Sequence, residues 1–386
     1  MKLLPIIIGV SVFIFTYGLL NYYIGIRGWQ MLNFINPSLN IKLYWLIFWF
    51  VALSYILARV CVGFLPKYVD DALTYLGSYW MAIMVYSFFV VFAIDIMRFL
   101  NKYIHFIPST LLINPTFILT IGISAFVLIF GIVAFGTYNA KSPHIKHYDI
   151  TINKNRGQLK DLHIAMVSDV HLGKMINNVY LEKMVSMINV LNPDIILICG
   201  DVIDESVETF MERDMSSSLS KLKSKYGTYG ALGNHEYYAG HTDQIIQYLN
   251  SAGIKILRDE YIQIDNSFYL AGREHNAVSR ITGTSRKNLS SILNGIDKLP
   301  IILMDHEPQA VKEAEDNNID LMLSGHTHHG QLFPANLVTS SIFEIDWGHL
   351  KKGDFNIIVS SGFGTWGPPI RIGNRPEIVD IIVHFK

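Results

Sequence analysis

The sequence predicts an α/β domain preceded by an all-α bundle of four transmembrane helices, and three observations carry that prediction. Apolar runs long enough to cross a bilayer are confined to the first 140 residues. From Tyr148 onward, short strand-like runs alternate with helical stretches. Those strand-like runs end again and again in Asp, Asn or His.

With 386 residues, 51% of them hydrophobic and only 16% charged, the chain is too apolar for a single soluble globule. Its mean hydropathy of +0.30 says the same. The first span, Leu3 to Ile26, holds no charged residue, and a bilayer core needs roughly 20 helical residues. Leu43 to Leu65 is the second, with Arg59 near one end, where a long cation can snorkel to the headgroups. Ala72 to Ile94 and Pro115 to Tyr138 complete the set. Four spans put both ends on one side of a cell membrane.

The first span reads as an uncleaved anchor rather than a signal peptide: its apolar region is too long, and it lacks a twin arginine and a small-x-small cleavage site. Trp29, Trp45, Trp49 and Trp80 lie near or within span ends, as interfacial belts or as packing. Lys2, Arg59, Lys67, Lys141 and Lys146 share one side against Arg27, Lys42, Arg98 and Lys102, a count that leans cytoplasmic for both ends. Asp95 is expected to pair with Arg98 three residues on, the alternative being a buried functional carboxylate.

Cys61 falls in a span and Cys199 in an apolar run, which argues against a disulfide. A net charge of -1 makes no electrostatic case for nucleic acid. Lys141-Ser142-Pro143-His144 breaks the last span, so the expected domains are 1–140 and 147–386. In the second, Ile164–Val167, Ile195–Ile198, Ile301–Met304 and Leu321–Leu323 read as strands. Val179–Val190, Ile245–Leu249 and Ala310–Ala314 read as helices.

The strand ends carry the chemistry. The run to Val167 is followed by Asp169-Val170-His171, that to Cys199 by Gly200-Asp201, and Tyr229–Leu232 by Gly233-Asn234-His235-Glu236. Ile301–Met304 leads into Asp305-His306, and Leu321–Leu323 into Gly325-His326-Thr327-His328-His329. A strand fixes its backbone while the loop beyond it aims side chains into a crevice, so these donors are expected to converge. Seven such donors are too many for one tetrahedral ion and suit two sharing a carboxylate. The mix of carboxylate, amide and imidazole favours Mn, Fe or Zn over Ca or a thiolate-bound metal.

These five blocks, in this order, resemble the calcineurin-like metallophosphoesterases, whose pattern is D-x-H, G-D, G-N-H-D/E, a lone H and G-H-x-H. The likeness runs from about Leu162 to the C-terminus. Gly362-Phe363-Gly364-Thr365-Trp366-Gly367, Arg371 and Pro376-Glu377-Ile378 are similar to the tail of the membrane-associated bacterial branch. The resemblance implies a sandwich of two mixed sheets flanked by helices, and two divalent ions. Asp169, His171 and His328 would hold one ion, Asn234, His306 and His326 the other, and Asp201 would bridge them. It also implies that His235 stands outside the ligand set as the catalytic acid. His329 departs from the branch, where glycine is commoner, and is expected to point to solvent, the alternative being contact with the phosphate.

The reaction this implies is hydrolysis of a phosphoester, whether monoester, diester or pyrophosphate. Asp305, Glu236 and Asp204 are expected to orient metal-bound imidazoles, by adjacency. His163, His241, His275, His349 and His384 are assigned no role. The fingerprint Gly362–Gly367 is not a dinucleotide site, because Pro368 and Pro369 follow where a helix should begin. His235-Glu236-Tyr237-Tyr238-Ala239 lacks the second histidine of a zincin. A lipid bilayer and a phosphoester substrate are the expected partners. Four spans suggest an amphiphilic or envelope-linked substrate, with Phe363, Trp366, Pro368 and Pro369 forming an apolar rim or else core. The rivals are a soluble nucleotide-like diester and a non-catalytic sensor or scaffold.

Overall fold

The computed structural model describes residues 3–154, 159–204 and 207–386; Lys2, counted above among the basic flanks, lies outside them. The chain forms two compact units, Met1–Gly136 with Gly367–Pro369, and Thr137–Trp366 with Ile370–Lys386.

The first unit holds the long helices α1 (Leu3–Ile35), α2 (Ile41–Val60) and α3 (Lys67–Ile104) and all but the last turn of α4 (Pro115–Ala140), whose Thr137–Ala140 belongs to the second unit. All four are long and apolar enough to cross a membrane. They start and stop where local chemistry allows. Asn40 caps α2 by accepting the N–H groups of Lys42 and Leu43, Pro66 precedes α3, and His105 closes α3 in a left-handed conformation. The second span ends at Val60, short of Leu65, where the turn through Gly63 takes a positive φ.

Asn21 and Asp95 inside this unit find partners on another helix, as an apolar surround demands. Asn21 is fully buried; its Nδ2 donates to the Tyr17 carbonyl at 2.9 Å, and its Oδ1 accepts from Trp80 Nε1 at 2.8 Å. Trp80 is therefore a packing residue. Asp95 pairs with Arg98 at 3.8 Å as expected and has a closer partner as well: Tyr23 Oη donates to it at 2.6 Å and Arg27 Nη2 stands at 2.7 Å. The partner comes from α1 because Arg27 and Tyr23 face α3 one turn apart, a contact that helical spacing within α3 does not reveal.

The second unit is built on two six-stranded mixed sheets among the described residues. The first comprises β1 (His144–Ile152), β2 (Asp161–Val167), β3 (Ile195–Cys199), β4 (Thr228–Ala231), β5 (Ile254–Ile256) and β12 (Glu377–Phe385), in the order β1-β12-β2-β3-β4-β5. The second runs β10-β11-β9-β8-β7-β6, from β6 (Glu260–Ile264), β7 (Phe268–Gly272), β8 (Ile301–Met304), β9 (Leu321–Ser324), β10 (Gly348–Lys352) and β11 (Phe355–Val359). β2, β3, β4 and β5 are parallel, as are β7, β8, β9 and β11.

Alternation along the strands explains the layering. Ile164, Met166, Ile195 and Leu197 meet Leu270, Ile302, Leu321 and Ile358 in the core between the sheets. Their neighbours Ala165, Val167, Ile196 and Ile198 face the opposite way, onto α5 (Asn178–Leu191) and α6 (Thr242–Ser251). On the second sheet Leu303, Met322 and Ile357 pack against α7 (Val311–Asp316). A strand covered on both faces must be apolar at every position, which is why these runs read as continuous rather than alternating. The result is the expected four-layer sandwich, with the carboxyl ends of β2, β3, β4, β8 and β9 delivering the donor-bearing loops.

Candidate metal centre

The loops after those strands leave β geometry abruptly. Asp169, His171, Asp201, His326 and His328 all have φ between 48° and 72°, a region that costs a non-glycine residue about 1–3 kcal/mol. Strain at five donor positions indicates that tertiary contacts, not local preference, aim these side chains. Glycines make room for them. A Cβ on Gly233 would sit 2.1 Å from Asp201 Oδ1, and one on Gly325 would sit 2.2 Å from Asp169 Oδ2.

The donors gather into two neighbouring groups. Asp169, His171 and His328 have ligand atoms within 4.8 Å of one another, as do Asp201, His306 and His326. In the first, His171 Nε2 is 3.0 Å from His328 Nε2, which is 3.4 Å from Asp169 Oδ1. In the second, His306 Nε2 stands 3.1 Å from Asp201 Oδ2. Asn234 joins it, with Oδ1 2.9 Å from His326 Nδ1. His306 links the groups, since its Nε2 is also 4.0 Å from Asp169 Oδ1. All seven sequence-predicted donors are brought together.

The electrostatics call for positive charge at this place. His306 Nδ1 bonds to the Cys199 carbonyl at 2.7 Å, which turns Nε2 inward to the Asp201 carboxylate. Burial alone would lower the pKa of His306, but Asp201 and Asp169 lift it to about 10. A proton there does the work a cation would do, neutralising two buried carboxylates. His326 and His328 go the other way. Burial and the neighbouring His306 bring His326 to about 4. Burial, His171 and the Arg371 guanidinium hold His328 well below the ordinary imidazole range. Both stay neutral, the form a metal takes. The residues fit divalent cations.

His235 stands beside this set with its ring 4.5 Å from that of His171. Its Nδ1 bonds to the Asp204 carbonyl at 2.8 Å. Asp204 Oδ1 is 3.3 Å from Nδ1 of both His171 and His235. Burial opposes that carboxylate's charge, yet the two imidazoles hold its pKa at about 2. Burial likewise works against the charge of His235, and Asp204 and Asp201 overcome it to raise the pKa to about 9.

Asp204 is thus where adjacency placed it, but two companions are not. Glu236 touches no imidazole: its fully buried carboxylate accepts from four backbone N–H groups, Val202 at 2.6 Å and Ile203 at 3.1 Å on Oε1, Asp201 at 3.0 Å and Gly233 at 2.8 Å on Oε2. It clamps the Asp201 loop. Asp305 pairs instead with Arg286 at 3.1 Å and Arg273 at 3.3 Å, because its side chain points away from His306 along the same turn.

His329 is not directed to solvent. Its Nδ1 lies 2.9 Å from Asp346 Oδ2 and its ring packs 5.2 Å from Trp347. Phe363 is buried against Tyr180 and belongs to the core, whereas Trp366 is exposed. His163 and His384 bond to Asp380 and Asp161, and His349 to Asn356. His275 does approach the centre, with its ring 5.6 Å from that of His306.

Sequence reasoning missed Glu307 and gave no role to Arg371, which it named only as part of a family tail. Glu307 stands between His326 Nε2, at 3.6 Å, and His275 Nε2, at 3.5 Å; adjacency to His306 was its signal. Arg371 is fully buried, donating from Nη2 to the Gly362 and Gly364 carbonyls and reaching His328 Nδ1 at 3.3 Å. Burial lowers its pKa to about 10.

Fold and site together define the class, an α/β sandwich with a cluster of candidate metal ligands at its strand ends. The model of the calcineurin-like phosphoesterase family matches residues 162–330. A metallophosphoesterase of Aquifex aeolicus is 31% identical over 264 residues, 66% of this chain and 98% of its own length. A zebrafish (Danio rerio) transmembrane protein with a metallophosphoesterase domain is 32% identical over 278 residues, 69% of this chain. The chain belongs to the calcineurin-like metallophosphoesterase family. Its match spans 62% of the zebrafish relative and 64% of one from Campylobacter jejuni.

Proposed function

We propose that the chain is a membrane-anchored phosphoester hydrolase with two divalent ions, Mn, Fe or Zn, sharing Asp201. Asp169, His171 and His328 would hold one ion and Asn234, His306 and His326 the other. The supporting observation is the pair of adjacent donor groups joined at His306, 3.1 Å from Asp201 and 4.0 Å from Asp169. Such ions, when bound, acidify a shared water and neutralise phosphoryl oxygens. The chain's own residues do the rest. Asp204 holds the His235 ring by Nδ1, so Nε2 gives its proton to the leaving oxygen. Glu236 keeps the Asp201 carboxylate between the two donor groups. Arg371 and burial keep His328 unprotonated.

The anchor favours an amphiphilic or envelope-linked phosphoester over a soluble nucleotide-like one. Metal analysis of the purified chain, then activity after chelation and add-back, tests the hydrolase. Metal-free protein with undiminished turnover refutes it. Rates on a soluble aryl phosphodiester and on a phospholipid or sugar-lipid diphosphate in micelles test the substrate class, and equal rates whatever the acyl chain refute the amphiphile.

A further inference from the structure

The helix α8 (Ala335–Ile342) is turned inside out for a soluble protein. It carries no charged residue and buries none. Two of its polar residues bond towards the domain, Thr339 Oγ1 donating to Asp346 Oδ2 at 2.6 Å and Ser340 Oγ at 3.2 Å, while Ser341, on the outer arc, donates to the Val338 carbonyl of its own helix at 2.7 Å. The same Asp346 oxygen binds His329 at the edge of the metal centre. Its apolar residues face outward, Leu337 63%, Val338 57% and Ile342 65% exposed; Trp366, whose ring lies 6.5 Å from that of His235, is 59% exposed. Helical spacing puts those three on one arc and Thr339 and Ser340 on the other. Water does not select such a helix; an apolar surface does.

The same unit shows where that surface lies. Thr137–Ala140 is the last turn of α4, a helix of bilayer-crossing length and composition. Asn139 Nδ2 donates to the Asn374 carbonyl at 2.6 Å and the Arg371 carbonyl at 3.0 Å. Asn374 Nδ2 in turn donates to the His328 carbonyl at 2.8 Å. From the same loop, the Ile372 carbonyl accepts from Phe333 N at 2.8 Å, just before α8. Two side-chain amides and one backbone bond therefore tie the end of the last span to the metal-site loop and to the start of α8. Trp366 is held to that loop as well, its carbonyl accepting from Gln331 Nε2 at 2.8 Å.

We propose that α8 and Trp366 dock into the headgroup–acyl boundary of the bilayer that holds the chain, so that the mouth of the metal centre opens at the membrane surface. This rests on reading the four long helices as spans. It does not require turnover. A bilayer-docked mouth admits substrate whose phosphate lies at headgroup depth and excludes phosphoesters held far from the surface.

The test uses the full chain in proteoliposomes. In a Cys61→Ser background, where Cys199 is buried, Leu337→Cys and separately Ile342→Cys carry an environment-sensitive fluorophore. Lys298→Cys, at the opposite end of β8, is the water-exposed reference. The labels at 337 and 342 are expected to shift to the blue, lose emission to a lipid-borne nitroxide and resist aqueous iodide. Iodide quenching equal to that at 298 overturns the proposal. Protection from both quenchers overturns it too, by assigning the face to a second copy of the chain. Inactive protein with lipid-quenched labels would sink the hydrolase and leave this inference standing.

Discussion

Replacing Glu236 by Gln changes one atom of a buried side chain, and its effect follows from the four N–H groups that carboxylate accepts. An amide retains one acceptor oxygen; the other position becomes an NH₂ aimed at two N–H donors. Either Val202 and Ile203 or Asp201 and Gly233 lose their acceptor. A hydrogen bond to a charged group contributes about 1.5–3 kcal/mol, so the loop loses about 3–6 kcal/mol. That is a large share of the roughly 5–15 kcal/mol that holds a domain folded. The strained Asp201, at φ 53°, is the residue released. Amide exchange read by mass spectrometry over residues 199–204 should accelerate at least about a hundredfold, since 1.4 kcal/mol is a factor of ten. Metal content per chain should fall with it. Exchange within about threefold of the parent, with full metal content, would refute the clamp.

Three more outcomes are expected. His235→Ala should lower turnover about 100- to 10,000-fold with metal content intact, as measured by steady-state kinetics beside elemental analysis. Gly325→Ala places a methyl 2.2 Å from Asp169 Oδ2 and 2.4 Å from Ser168 Oγ. It should cost about 1–3 kcal/mol of stability and one metal equivalent, and a fully loaded variant would show that the approach is slack. Titrating metal into metal-free protein near neutral pH should release a proton, because His306 carries one up to about pH 10 until a cation displaces it. Apparent affinity therefore rises with pH towards that value. Calorimetry in buffers of different ionisation heat reads the proton directly, and none released would overturn the account of His306.

The five blocks from Asp169 to His328 were legible because strand length, residue type and order all survive in one dimension. So were the four apolar helices, whose length is a property of each segment alone. Asp204 was legible by adjacency, but adjacency misled for Glu236 and Asp305, whose rotamers send their carboxylates to backbone amides and arginines instead. Asp95 found Arg27 across the bundle as well as Arg98 along its own helix, and only the second was legible from spacing. His329 found Asp346, and His328 found Arg371, each through a segment far along the chain.

By itself the sequence determined which residues end each strand, the family pattern they make, and the presence of helices able to cross a bilayer. Tertiary structure alone decided which carboxylate holds a loop and which turns an imidazole, how a buried arginine meets His328, and why α8 shows its apolar side outward. The reason is physical: a strand dictates where its last residue points, but the partner of a buried charge is whatever the rest of the chain brings within about 3 Å.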